Sequence, residues 1–513
     1  MARDAMQRMA RLAGVAIPAI LATLAAVSLG CGPMLIPGED EPEADEVGRP
    51  PGSAGDDGRG AERPPCEGRS HVGNAIVERQ ADLEVLQRVV EVTGDLVIGS
   101  AISSLERLET LACVGGDLVI EDNSLLRDLT GLSSLRSVGG SVILRGNDAL
   151  EHVDALESLE AITGELVVAR CDALEHLHGL VRLGWVGGIA LDWNEALTDL
   201  VGLDRISMVQ GSVTLERMRL ETLDGLQSLQ TVGSSFVIRH NAALREIEAL
   251  SSLTSVGGHL DISFNERLET LDGLASLTTV GGDLVLSDDH ALEHVDGLAS
   301  LRWIDGNLVL SHDAKLATVD GLAGLERLAG HLLVVGNASL MSLDGFGSLA
   351  SVGGLSVESN AVLPNLDGLR GLQSVGSELR VLSNPKLHDV DGLSSVTAVA
   401  DYVALVDNPL LEQLDGLSGL TWLEALFLAR NDALEQIDGL GGVQGVTRSI
   451  RITGHASLAD ISGLGNVTTV GHVVELGQNW ALAQCLIDAW LEQVTVGQSV
   501  AVWDNLDDPT ACE

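Results

Sequence analysis

Aromatic side chains are nearly missing from this sequence: four Phe, seven Trp and one Tyr in 513 residues. An ordinary globular core takes much of its buried area from such rings. Hydrophobic residues still make up 45% of the chain. They are mostly Leu, Val and Ile, which suit many small equivalent sites rather than one large core. Positive charge is scarce too. Lys and Arg number 30 against 74 Asp and Glu, a formal net charge of −44. Such a surface repels phosphate backbones, which excludes nucleic acid as a partner, and it keeps an apolar-rich body in solution. Catalytic signatures are lacking as well: there is no CxxC, HExxH, GxSxG or Walker A segment. No cofactor is expected.

What is present is a repeat. "ETLDGLASLTTVGGDLVL" returns in variant form every 23 or 24 residues. Aligned three residues before the Leu of NxxL, the anchors are Asn123, Asn147, Cys171, Asn194, Arg217, Asn241, Asn265, Asp289, Asp313, Asn337, Asn360, Asn384, Asn408, Asn431, His455 and Asn479. The L-x-I pattern alternates with period two, so it reads as a short strand with Leu and Ile inward. The Gly pair before it, as in Gly281-Gly282, reads as a tight corner with positive φ. Asp-Gly, as in Asp272-Gly273, reads as a turn. One such unit cannot offset its ordering entropy alone, but stacked units pair strands and cover each other's open faces. At about 4.8 Å per turn, sixteen turns make a rod of roughly 75 Å. The Asn residues are expected to stack as a hydrogen-bonding ladder that satisfies corner backbone groups.

The two ends differ from the middle. Arg3, Arg8 and Arg11 precede an apolar run closing at "SLGC", the pattern of an export signal over 1–30. Small residues directly before Cys31 resemble the lipobox of bacterial lipoproteins. That resemblance implies acylation of Cys31, cleavage before it, and, with Gly32 rather than Asp following, the outer membrane. An ordinary cleaved signal or an uncleaved anchor would share the apolar run. Residues 31–65 are acidic and rich in Pro and Gly, with no apolar periodicity, and read as a disordered tether. Residues 66–113 read as an N-terminal cap and first turn, bracketed by Cys66 and Cys113, which could form a staple. Residues 114–480 are the repeats. In the C-terminal cap, 481–513, Leu482, Leu486, Trp490 and Val494 predict a helix over 481–493, followed by a last strand "SVAVW". Cys485 and Cys512 are expected to join helix to tail in an oxidising compartment. Cys171 is left over, either as a buried thiol or as an intermolecular partner.

The pattern LxIxxNxxLxxLxGLxxLxxVGG resembles the turns of receptor L domains, relatives in pattern of leucine-rich repeats, over about residues 90–480. The resemblance implies a mainly β, right-handed parallel β-solenoid of about 16–17 turns with a small helical cap, and a recognition role. The chain looks most like bacterial lipoproteins with such repeats, and these tend to end with a Cys pair like Cys485 and Cys512.

Three features bear on function. Nine Asp-Gly pairs at the same repeat position, from Asp224 to Asp438, could stack into a carboxylate column, but the turn explains them and a metal is not expected. Turn length hardly varies, which leaves no spare chain for a catalytic loop. The outward strand position is mostly apolar: Val119, Ile143, Val167, Val237, Val285, Val309, Leu333 and Phe427 form a candidate binding stripe, although β-branched residues also suit a sheet surface. The reading is therefore a non-enzymatic lipoprotein at the cell envelope or surface, held by a lipid anchor and recognising a protein or glycan partner. A structural envelope scaffold is the alternative, and a polysaccharide-active enzyme the least supported.

Overall fold

The computed structural model describes residues 66–100 and 102–507. The export signal over 1–30, Cys31, the tether over 31–65 and Cys512 lie outside the described residues.

One turn shows how the repeat folds. In the strand Leu260–Ser263, Leu260 and Ile262 turn inward, and the alternate positions Asp261 and Ser263 are buried as well, Asp261 by its pairing with Arg239 and Ser263 by donating its hydroxyl to Asp261 Oδ1 at 2.7 Å. The chain then bends at Phe264 and Asn265 and closes a short loop in which Leu268 N–H donates to the Asn265 carbonyl, 2.9 Å. A three-residue 3-10 helix, Asp272–Leu274, crosses the far side. A two-residue strand, Thr279–Val280, leads to Gly281 and the next turn. Leu260, Ile262, Leu268, Leu271, Leu274, Leu277 and Val280 all face one interior and are buried. Burying a side chain of this kind contributes roughly 1.5–3 kcal/mol, so each turn is tied mainly to its two neighbours.

Stacking is parallel and in register. Leu260 pairs with Leu284, Leu284 with Leu308 and Leu308 with Leu332. The main strand column runs from Ala75–Val77 to Ser499–Trp503 and holds nineteen strands. A second column of short strands accompanies it, as in Thr279 with Trp303. A mainly β parallel solenoid with a small helical cap is therefore the fold.

Several local expectations are corrected. Gly281 and Gly282 do not have positive φ. The left-handed residue is the one before the ladder position, as at Asp122 (φ 57), Phe264 (φ 58) and His312 (φ 60). Non-glycine residues hold that conformation because their N–H groups pair with the next turn; Phe264 N–H donates to the Ser287 carbonyl, 2.9 Å. The glycines serve close approach instead: a Cβ on Gly281 would collide with the Gly257 carbonyl oxygen. Likewise Asp272-Gly273 opens a 3-10 helix rather than a reverse turn, and a Cβ on Gly273 would strike the Ile247 carbonyl.

Arg217 is not a ladder residue. That corner is one residue shorter, and Met218 fills the slot, its N–H donating to Asn241 Oδ1 at 3.2 Å. At the start, the segment 66–113 carries two strands of the main column, Ala75–Val77 and Leu96–Ile98. At the end, the helix spans Gln484–Leu491. Ile487, Trp490 and Val494 are buried and Leu486 is exposed. A strict four-residue spacing drifts off one helical face, whereas 487, 490 and 494 stay on it.

Candidate functional site

The ladder ties successive turns together along one side of the solenoid. Asn147 Oδ1 accepts from Asn123 N–H at 3.0 Å, while its Nδ2 donates to the Ile120 carbonyl at 2.8 Å. The same pair of bonds recurs at Asn194, Asn241, Asn265, Asn337, Asn360, Asn384, Asn408, Asn431 and Asn479. At Asn123 the Oδ1 accepts from Ile102 N–H, 3.0 Å. These amides are fully buried and their capacity is used within the fold. Asn505, which the sequence reading missed, continues the ladder by accepting from Asn479 N–H at 3.1 Å. Its signal was the strand-Asp-Asn order of "AVWDN", the same as in "ALVDN" at 404–408.

Besides Met218, four ladder positions depart from Asn. Cys171 is buried, and burial pushes its thiol up to about 11. Burial lowers the pKa of the His455 imidazole below its usual value. Asp289 and Asp313 are buried carboxyls, each with an Oδ2 lacking a hydrogen-bond partner among the described residues. Elsewhere, Cys66 is bonded to Cys113, with Cα atoms 6.2 Å apart. Cys485 is disulfide-bonded.

The candidate stripe lies on the outer face of the main sheet. Val119, Ile143 and Val167 are adjacent in register, as are Val285, Val309 and Leu333. All are half-buried by neighbours one strand away except Val285, which is buried. Val237 stands beside Asp261, which interrupts the run and pairs with Arg239. Phe427 is separated from the rest and is flanked by Arg451, 5.7 Å from its ring centre, and by the edge of Tyr402. Ion pairs run along the same face: Arg145 with Glu121 at 3.3 Å, Arg380 with Glu358 at 2.9 Å and Arg451 with Glu475 at 3.1 Å. Past Leu333 the apolar positions move over by one column to Val335, Leu382 and Val406. The sequence reading followed only the first column and missed this shift, although the same alternation carries it.

Other groupings are less productive. The Asp-Gly carboxylates do stack along the 3-10 helices. Burial and the neighbouring Asp389, Asp415 and Asp367 raise the Asp391 pKa. His152 and His176 stack on adjacent turns beside Asp154. His290 and His294 do not converge: the first faces the His312 carbonyl at 3.1 Å and the second Asp296 at 3.5 Å. Among the described residues no group of three or more His, Cys, Asp or Glu is placed to hold a metal ion, and no helix is long and apolar enough to cross a membrane.

Comparison with known proteins gives little to add. No family model matches the chain, and no curated protein matches its sequence. Among solved structures, an internalin from Listeria monocytogenes str. 4b F2365 is similar at 15% identity, over 69% of this chain and 84% of its own, with a TM-score of 0.33. A superposition that loose carries no argument about function, and the strand register above is what defines this chain as a parallel β-solenoid.

Proposed function

We propose that the chain is a non-enzymatic recognition solenoid, exported, anchored through lipid on Cys31 and displayed at the cell surface, with the outer face of the main sheet binding a protein partner. The observation that carries the reading is that face itself. It presents side-by-side apolar positions in two runs of consecutive turns, through Val119, Ile143 and Val167 and through Val285, Val309 and Leu333, flanked by ion pairs, on a frame tied together by buried amides. A long apolar strip with a charged border is what a protein partner needs for a dry centre and a polar rim. Turn length supports the absence of catalysis, because the repeats from 114 to 480 insert no loop in which a reactive constellation could be assembled.

Photo-crosslinking on living cells tests this. A photoreactive residue at Val167 or at Val309 should give a discrete protein adduct, while one at Ala275, on the 3-10 side, should give none. Equal adducts at all three positions, or none at the strip, would refute it.

A further inference from the structure

Three of the seven tryptophans occupy one register position. Trp185, Trp303 and Trp422 each begin a short strand segment in the second column, just before the corner into the main strand, which carries glycine after Trp185 and Trp303 and Glu424 and Ala425 after Trp422. From Trp185 the column passes Met208, Thr231, Ser255 and Thr279 before Trp303. From Trp303 it passes Arg327, Ser351, Ser374 and Ala398 before Trp422. Each interval is five turns, about 24 Å at the usual strand spacing.

The surface between them is low. Most intervening residues are Ser, Thr or Ala, and past Trp422 the indole lies across Gly445, where a Cβ would sit 2.5 Å from the ring. Trp303 and Trp422 are 50% and 53% exposed. Trp303 walls a cavity of about 410 Å³ with Ser255, Gly257, Thr279 and Gly281 on one side and Asp305 and Arg327 on the other. The Arg327 guanidinium stands 3.6 Å from the Asp305 carboxylate.

Half-exposed indoles on a flat, small-residue sheet bury little for the fold. They do offer what a sugar ring needs: a π face for its C–H groups, with a carboxylate, a guanidinium and hydroxyls at hand for its own hydroxyls. The regular interval suits a stiff ligand laid along the stacking direction. The net charge of −44 repels polyanions. We propose that this face binds a linear, uncharged polysaccharide, with Trp303 and Trp422 as stacking platforms and Asp305 and Arg327 as hydroxyl partners. The site lies across the glycine corner from the main-sheet strip and does not depend on it.

The test is affinity electrophoresis of the full chain in gels containing starch, dextran, β-1,3-glucan, hydroxyethylcellulose or galactomannan, with polygalacturonate as the anionic comparison. Retardation by at least one neutral glycan is expected. Trp303→Ala and Trp422→Ala should each weaken it roughly three- to tenfold, and Trp480→Ala, an exposed tryptophan near the C-terminal end, should not. The retarding glycan should also shift the indole fluorescence of the unaltered chain, a readout that needs no variant to fold. Absence of retardation in every neutral gel, equal loss in Trp480→Ala, or retardation by polygalacturonate alone would overturn the proposal.

Discussion

At the scale of single residues, the ladder's most informative members are its two acids. Asn265 N–H donates to Asp289 Oδ1 at 2.7 Å and Asp289 N–H to Asp313 Oδ1 at 2.9 Å, as to an Asn. In neighbouring turns the second side-chain atom is an amide that donates to a strand carbonyl. A carboxyl can do the same only while it keeps its proton. Burial, with Asp313 adding to it, raises Asp289 well above the carboxylate range, and burial pushes Asp313 up to about 8. The folded pKa therefore exceeds the unfolded one. Below about pH 4 both states are protonated and nothing is lost. As pH climbs toward 8 the unfolded chain releases a proton that the folded chain retains, so stability falls. Asp313→Asn should raise the urea midpoint at pH 8 and leave it unchanged at pH 4. Equal shifts at both pH values would mean that the carboxyl is not protonated in the fold.

At the scale of elements, the short 3-10 helices set the spacing between turns. Gly273 lies under the Ile247 carbonyl with no room for a methyl group, whereas at Gly347, which follows the equivalent helix Asp344–Phe346, a methyl group would make only an ordinary contact with the Asp344 carbonyl. Gly273→Ala should lower thermal stability sharply and Gly347→Ala should shift it by no more than about 0.5 kcal/mol. Comparable melting of the two variants would contradict this. Period-two strands and buried Leu positions were legible because alternation and spacing follow directly from side-chain geometry. The left-handed corner was not. Asp122, Phe264, His312 and Gln478 share no side-chain chemistry; the conformation is imposed by ladder bonds from the adjacent turn, which no local stretch encodes. The glycines were visible, but their purpose was misread, since a close approach across turns leaves the same mark as a positive φ.

At the scale of the molecule, repetition made the architecture readable, and departures from repetition were where reading failed. The single-residue deletion after Met218 shifted one anchor onto Arg217. The strand at 75–77 was merged into the N-terminal cap because it lacks a full repeat around it, whereas the first turn's strand at 96–98 and the last strand at 499–503 were legible. The strip from Val119 to Leu333 was legible as alternation, but its sideways shift and the spacing of Trp185, Trp303 and Trp422 emerge only when turns are superposed in space. Partner recognition by either face requires that the solenoid be outside the cell. The most direct test is to add protease to intact cells and follow the chain with an antibody to the repeats. Cleavage within 31–65 that frees the repeat domain before any lysis is the predicted result. Protection until the outer membrane is opened would contradict surface display and leave a scaffold within the envelope as the better reading.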